Sequence, residues 1–158
     1  MIRDTKVQSF QYKIVHRFFP CNYTLNKWYP NKSKNCMKCN EIDSLEHYFY
    51  LCPELQYFWS SFFKWWYNIN QLKVNVHSLE IVLGIQNQNR DPNLDCLNYC
   101  IIYAKEYISE YKYNDKDCIF YEFQRKMKNI LDSEFVSYQI RGLSDKFHNL
   151  LGTLYQNM

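Results

Sequence analysis

Four residues with metal-ligating side chains stand close together in the pattern C-x2-C-x7-H-x4-C: Cys36, Cys39, His47 and Cys52. A two-residue gap lets the thiolates of Cys36 and Cys39 reach one ion from a single tight turn. His47 and Cys52 then complete a tetrahedral set of soft and borderline donors that suits zinc. Four protein ligands leave no coordination position for water, so the chemistry expected is structural: one Zn2+ that fixes a loop. A metal-free cluster of thiols and a catalytic metal are the alternatives. The chain has seven cysteines, an odd number, and its start, MIRDTKVQSF, lacks the apolar stretch of a secretory signal, so a complete disulfide framework is not expected. Cys96 and Cys100 lie four apart in an apolar-periodic stretch, and Cys118 and Cys21 have no partner at ligand spacing; all four read as small buried hydrophobes or isolated thiols outside the metal site.

No catalytic residues are assigned. Asp115 and Asp117 are two apart in a polar turn without further acidic ligands, which reads as a helix cap. His16, His77 and His148 have no nucleophile near them in sequence, so no nucleophile, base and orienting group assemble. Three glycines and four prolines against 15 Tyr, 11 Phe and 4 Trp disfavour a turn-rich β sandwich and any glycine-rich phosphate loop. No run approaches the ~18 apolar residues of a membrane span. A soluble intracellular protein is the expectation.

Charge is unevenly spread. Residues 1–40 carry eight basic side chains against Asp4 alone, a balance of +7, whereas the remainder carries −4, to give +3 for the 158-residue chain. Basic residues interleaved with rings suit nucleic acid, because phosphates attract Lys and Arg while bases stack on aromatic faces. The expected contact set is Lys6, Lys13, Arg17, Lys27, Lys32, Lys34 and Lys38, with Trp28 and Tyr29 as stacking residues. A solvated lysine-rich surface is the plainer reading of the same charges.

These residues need elements to position them. Val7, Phe10, Ile14, Val15 and Phe18 recur at three- and four-residue steps, which predicts an amphipathic helix over 5–19 that Pro20 helps to stop. Thr24 is the expected cap of a brief second helix holding Leu25 and Trp28. Asp43 or Ser44 is expected to cap the run 45–52, and Pro53 to open a helix over 53–68 whose stripe of Leu55, Phe58, Trp59, Phe62, Phe63 and Trp66 belongs to a core. A linker with an extended piece at 73–76 leads to the turn beginning at Ser78 and ended by Gly84. Asp91 and Pro92 cap and open a long helix to about Tyr111, Asp117 caps the next, and a last helix is expected from about Ser133 to Leu151. The fold class expected is all-α: a small helical domain with an embedded CCHC zinc knuckle. Residues 1–70 form the basic helix plus zinc-binding module, and residues 71–158 form a helical region packed on it as one continuous domain.

The ordered set Val7-Gln8-Ser9-Phe10-Gln11-Tyr12-Lys13-Ile14, His16-Arg17, Cys36-x2-Cys39, Glu46-His47, Cys52 and Phe58-Trp59 resembles the zinc-binding region near the C-terminus of non-LTR (LINE-type) retrotransposon reverse transcriptases. Val82-Leu83-Gly84 and Ala104-Lys105-Glu106-Tyr107-Ile108 extend the resemblance to about residue 112. It implies a noncatalytic portion of such a polyprotein that holds element RNA, or target DNA, beside the polymerase. The implied partners are RNA, DNA and the rest of the reverse transcriptase, with no membrane and no small-molecule substrate, in a nuclear or cytoplasmic ribonucleoprotein. The chain departs from a whole enzyme of that kind: it has no adjacent Asp-Asp pair and no room for fingers, palm or endonuclease. The rival reading is a structural or protein-docking helical module whose zinc clamp makes no nucleic-acid contact and whose aromatic helix docks on the polymerase.

Overall fold

The computed structural model describes residues 4–158; Arg3, one of the eight N-terminal basic residues, lies outside them. Helices account for 68% of the structure and no strand is present among the described residues, so the all-α expectation holds. In chain order they are α1 (Thr5–Val15), α2 (Asn22–Trp28), α3 (Gln56–Asn70), α4 (Ser78–Leu83), α5 (Pro92–Tyr113), α6 (Phe120–Ile140) and α7 (Ser144–Gln156). Between α2 and α3 lie the knuckle, a π-helical turn at His47–Leu51 and a single 3-10 turn at Pro53–Leu55.

The aromatic helix α3 is the spine of the core. Phe58, Trp59, Phe62, Trp65 and Trp66 are all buried. Phe58 stacks on Tyr107 of α5 at 5.7 Å and meets Phe123 of α6 edge-on at 5.5 Å. Such offset and edge contacts add to the burial of large rings, each of which removes ~150–250 Å² from water. α5 and α6 supply the other walls through Leu97, Ile101, Ala104, Ile108, Met127 and Leu131. α7 closes the assembly against α5 and α6. α1 lies against α4 and α5, with Val7 and Ile14 fully buried.

Several helix ends differ from the sequence expectation, each for a local reason. α1 stops at Val15, four residues before its predicted end, because Arg17 turns left-handed (φ 59°) and the amides of Phe18 and Arg17 bond back to the carbonyls of Lys13 and Ile14. That closure satisfies the orphan carbonyls of the last turn and takes Phe18 out of the helix, where it is exposed. The same closure ends α5 at Asp115 and α6 at Gly142 (φ 67°), where Leu143 and Gly142 bond to Tyr138 and Gln139. α6 therefore runs through Ser133, and the last helix begins at Ser144. Thr24 is not a cap but sits buried inside α2, its hydroxyl 3.2 Å from the Cys21 sulfur at the N-cap. His77 rather than Ser78 precedes α4, and its amide donates to the Glu80 carboxylate at 2.8 Å. Asp117 caps nothing, since α6 starts three residues later after Ile119. Residues 71–77 form no extended strand. The cap and first turn of α5 are as expected: Asp91 accepts from the Asn93 amide at 2.8 Å and Pro92 occupies the first helical position.

Candidate metal centre

The knuckle is assembled by hydrogen bonds that its own composition makes available. The Cys36 amide donates to the Glu41 carbonyl at 2.7 Å and the Asn40 amide returns to the Cys36 carbonyl at 2.9 Å, folding Cys36–Asn40 into a tight turn. Asn40 follows the second cysteine with φ 65°, a conformation Asn tolerates better than most side chains. Asn35 and Ile42 pair as one antiparallel bridge at the mouth of the turn. α2 grips it from outside: Asn22 donates through Nδ2 to the Asn35 carbonyl at 2.7 Å, and Asn26 through Nδ2 to the Lys32 carbonyl at 2.6 Å.

The other two ligands come from the π-turn. In an α-helix at 100° per residue, positions five apart project about 140° from one another. The wider π-turn closes its ring from the Cys52 amide to the His47 carbonyl at 3.1 Å, so His47 and Cys52 are brought to one side of the coil. Ser44 starts this segment, its hydroxyl accepting from the His47 amide at 3.2 Å, and the indole N–H of Trp59 donates to the Phe49 carbonyl at 2.8 Å. Phe49 is fully buried beneath the turn, against Phe10 of α1 and Phe19.

The outcome is four ligand atoms within 4.8 Å of one another. Cys36 Sγ and Cys39 Sγ each lie 4.0 Å from Cys52 Sγ, and Cys39 Sγ lies 3.3 Å from His47 Nε2. Tetrahedral zinc with bonds of ~2.3 Å to sulfur and ~2.0–2.1 Å to nitrogen requires separations of about 3.8 Å between sulfurs and about 3.6 Å from sulfur to nitrogen. The donor set and its spacing therefore fit the ion. Cys36, His47 and Cys52 are buried and Cys39 is half-buried, so the centre is closed. Cys21, Cys96 and Cys100 are buried elsewhere and Cys118 half-buried, none of them in the cluster.

Electrostatics at the centre pull in two directions. Burial raises the Cys36 thiol, but the backbone amides of Lys38 and Cys39 and the charge of Lys112 outweigh it, so its net shift is downward. Cys52 is pushed up to about 12, first by burial and then by its two cysteine neighbours, against the opposing pull of Lys112 and the Glu54 amide. His47 is lowered by burial and by Lys112, which favours the neutral imidazole that a metal takes. Three thiolates around a divalent cation leave a net charge of −1, and Lys112, reaching over from α5 with its ammonium 4.6 Å above the Tyr48 ring, is the complementary charge.

The remaining expected site residues fall into three groups. Lys6 and Lys13 line one groove along α1 with Phe10, Phe19 and Pro20. Arg17, Lys27 and Trp28 line a second, smaller one with Phe18 and Glu46. Trp28 and Tyr29 are 50% and 58% exposed, and the Lys27 and Lys32 ammonium groups lie over the Tyr23 and Tyr29 rings at 4.6 and 5.5 Å. Lys34 is exposed at the entrance of the knuckle. Lys38 instead pairs with Asp115 at 2.7 Å, tying the knuckle to the end of α5. Trp59 and Trp65 are buried within this chain, so the rings that α3 leaves exposed are those of Tyr57 and Tyr67. Sequence reasoning passed over Lys112 and the indole of Trp59, whose roles depend on contacts made over long stretches of chain.

Fold and site together define a helical protein with a Cys3His centre whose donors and spacing fit a zinc ion. Residues 2–59, less than half of the chain, match the family model described as zinc-binding in reverse transcriptase, which is what this N-terminal segment is similar to. No curated protein and no solved structure matches the chain. No helix among the described residues is long and apolar enough to cross a membrane.

Proposed function

We propose that the chain is a noncatalytic portion of a non-LTR retrotransposon reverse transcriptase that holds element RNA or target DNA for the polymerase. One structural zinc per chain ties the knuckle to the π-turn, and residues 71–158 brace that module from behind. Its setting is a nuclear or cytoplasmic ribonucleoprotein containing the rest of the enzyme. The observation that carries this reading is the surface around α2, where half-exposed Trp28 and Tyr29 stand among Arg17, Lys27 and Lys32. Rings beside cations are what a single strand needs: faces on which bases stack and charges that track the phosphates. Lys6, Lys13 and Lys34 extend the positive surface, and Lys38 joins it only by exchanging its bond to Asp115.

The test has two parts. Protein purified under reducing conditions without added metal should contain about one zinc per chain, as a single four-ligand site requires. Single-stranded RNA binding, titrated against salt, should show a log–log slope of roughly −4 if six cations contact phosphates, and Lys27→Ala should reduce its magnitude by about 0.7. Affinity that is flat in salt would overturn the reading.

A further inference from the structure

A cleft of about 160 Å³ lies between the end of α1, α2 and the segment 44–46 that leads into the π-turn. Three aromatic side chains line it, Phe18, Tyr23 and Trp28, and they are 58%, 40% and 50% exposed. The rings of the core pack on one another, whereas Phe18 and Trp28 meet no other ring among the described residues, and Tyr23 carries the Lys27 ammonium at 4.6 Å. Backbone geometry fixes this arrangement. The left-handed turn at Arg17 throws Phe18 clear of α1, and the Phe18 amide donates to the Lys13 carbonyl at 2.7 Å. The start of α2 is tied to the opposite wall, where the Asn22 amide donates to Asp43 Oδ2 at 3.0 Å and the Tyr23 amide to the Asp43 carbonyl at 3.3 Å. Buried Thr24 and Leu45 belong to the same lining, so the cleft is built into the fold.

Separated, exposed rings offer their faces to a flat guest, and the volume, below the ~300–1,000 Å³ of drug-sized sites, suits a single planar heterocycle. Charge decides the class of guest. Arg17 and Lys27 line the same cleft, which disfavours the cation that aromatic faces could otherwise attract and suits a phosphate backbone. Glu46 is the one acidic residue of the lining; it is half-buried, and its carboxylate has no hydrogen bond or ion pair among the described residues. A carboxylate repels phosphate and only accepts hydrogen bonds, so what suits it is the donor edge of a base. Cytosine presents an exocyclic amine there, and uracil a carbonyl oxygen. We infer that this cleft takes one unstacked base of a single strand, with Phe18 and Trp28 as its stacking faces, Arg17 and Lys27 on the flanking phosphates, and Glu46 accepting from the exocyclic amine, which favours cytosine over uracil. The base edge must be free for this, so the strand read is single. The inference rests on the nucleic-acid reading above and adds to it Phe18, Glu46 and a base preference.

The experiment uses the zinc-loaded full chain and fluorescence anisotropy with two labelled ten-nucleotide RNAs, oligouridylate and the same strand with one central cytidine, which differ only at C4 and N3 of that base. The cytidine strand should bind about tenfold more tightly, as one hydrogen bond to a charged acceptor allows. Glu46→Gln places an amide there that both donates and accepts, so it should bring the two affinities to within about twofold of each other. Phe18→Ala, at an exposed position outside α1, should weaken both strands by about five- to a hundredfold, the range of one lost stacking face, with zinc content and circular dichroism unchanged. Equal wild-type affinity for the two strands, a cytidine preference that survives Glu46→Gln, or an affinity indifferent to Phe18→Ala would overturn the base site and leave the general nucleic-acid reading standing. Absence of binding to either strand would overturn both.

Discussion

Replacing Lys105 by methionine should reverse its effect on stability across the pH range. Lys105 lies on α5 with no exposed surface, and its ammonium donates to Gln11 Oε1 at 2.6 Å and to the Val82 carbonyl at 2.9 Å, joining α1, α4 and α5. Burial lowers it from the ordinary 10.5 to about 7. The folded chain therefore binds fewer protons here than the unfolded chain between about pH 7 and 10.4, and stability contributed at this site rises with pH through that window and is lost as pH falls. At about 1.4 kcal/mol per pH unit, the full displacement amounts to about 5 kcal/mol. Methionine fills a similar volume without the charge. It leaves the Val82 carbonyl its bond from Gln11 Nε2 at 3.2 Å, so only Gln11 Oε1 loses a donor, a cost of about 1–3 kcal/mol. Lys105→Met should thus be more stable than the wild type by roughly 2–4 kcal/mol at about pH 6 and less stable by about 1–3 kcal/mol at about pH 10. Denaturant melts of both zinc-loaded proteins under reducing conditions check this, and the shared thiols and tyrosines cancel in the difference. A difference that does not change with pH would refute the argument.

Further outcomes follow from the site. Cys39→Ser, or chelation of the wild type, should release residues 30–46 to proteolysis and remove the bound zinc, because this segment is held without the metal by only one isolated bridge, short turns and a few side-chain hydrogen bonds from α2; binding energies of order 10–16 kcal/mol for structural zinc are large beside a whole domain's stability. An unchanged digestion pattern and thermal melt would count against the centre. Trp59→Phe keeps the buried ring but strands the Phe49 carbonyl, so stability should drop by about 1–3 kcal/mol and zinc should be lost to a competing chelator more readily. Gly142→Ala places a side chain at φ 67° with no contact to compensate, and should cost about 1 kcal/mol in a denaturant melt without altering zinc content.

Much of this protein was legible from local spacing. A two-residue gap determines that Cys36 and Cys39 share one turn, the apolar stripe of α3 determines which face is buried, and Asp91-Pro92 determines where α5 starts; each depends only on residues a turn or two apart. Apolar periodicity alone ran past the end of α1 and misplaced the break between α6 and α7, because the left-handed closures at Arg17 and Gly142 interrupt a helix without interrupting the pattern of its apolar residues. Tertiary structure alone decided the rest. The π-turn that brings His47 and Cys52 together is stabilised by Trp59 ten residues beyond Phe49, and Asp43 caps a helix that begins 21 residues earlier instead of the run that follows it. Lys38 gives up its freedom to Asp115, and Lys105 and Lys112, indistinguishable in sequence from surface lysines, become a buried strut and the counter-charge of the metal centre. The reason is physical: spacing fixes which side chains share a turn, but whether a charge meets water, carbonyl oxygen or a thiolate depends on what distant segment packs against it.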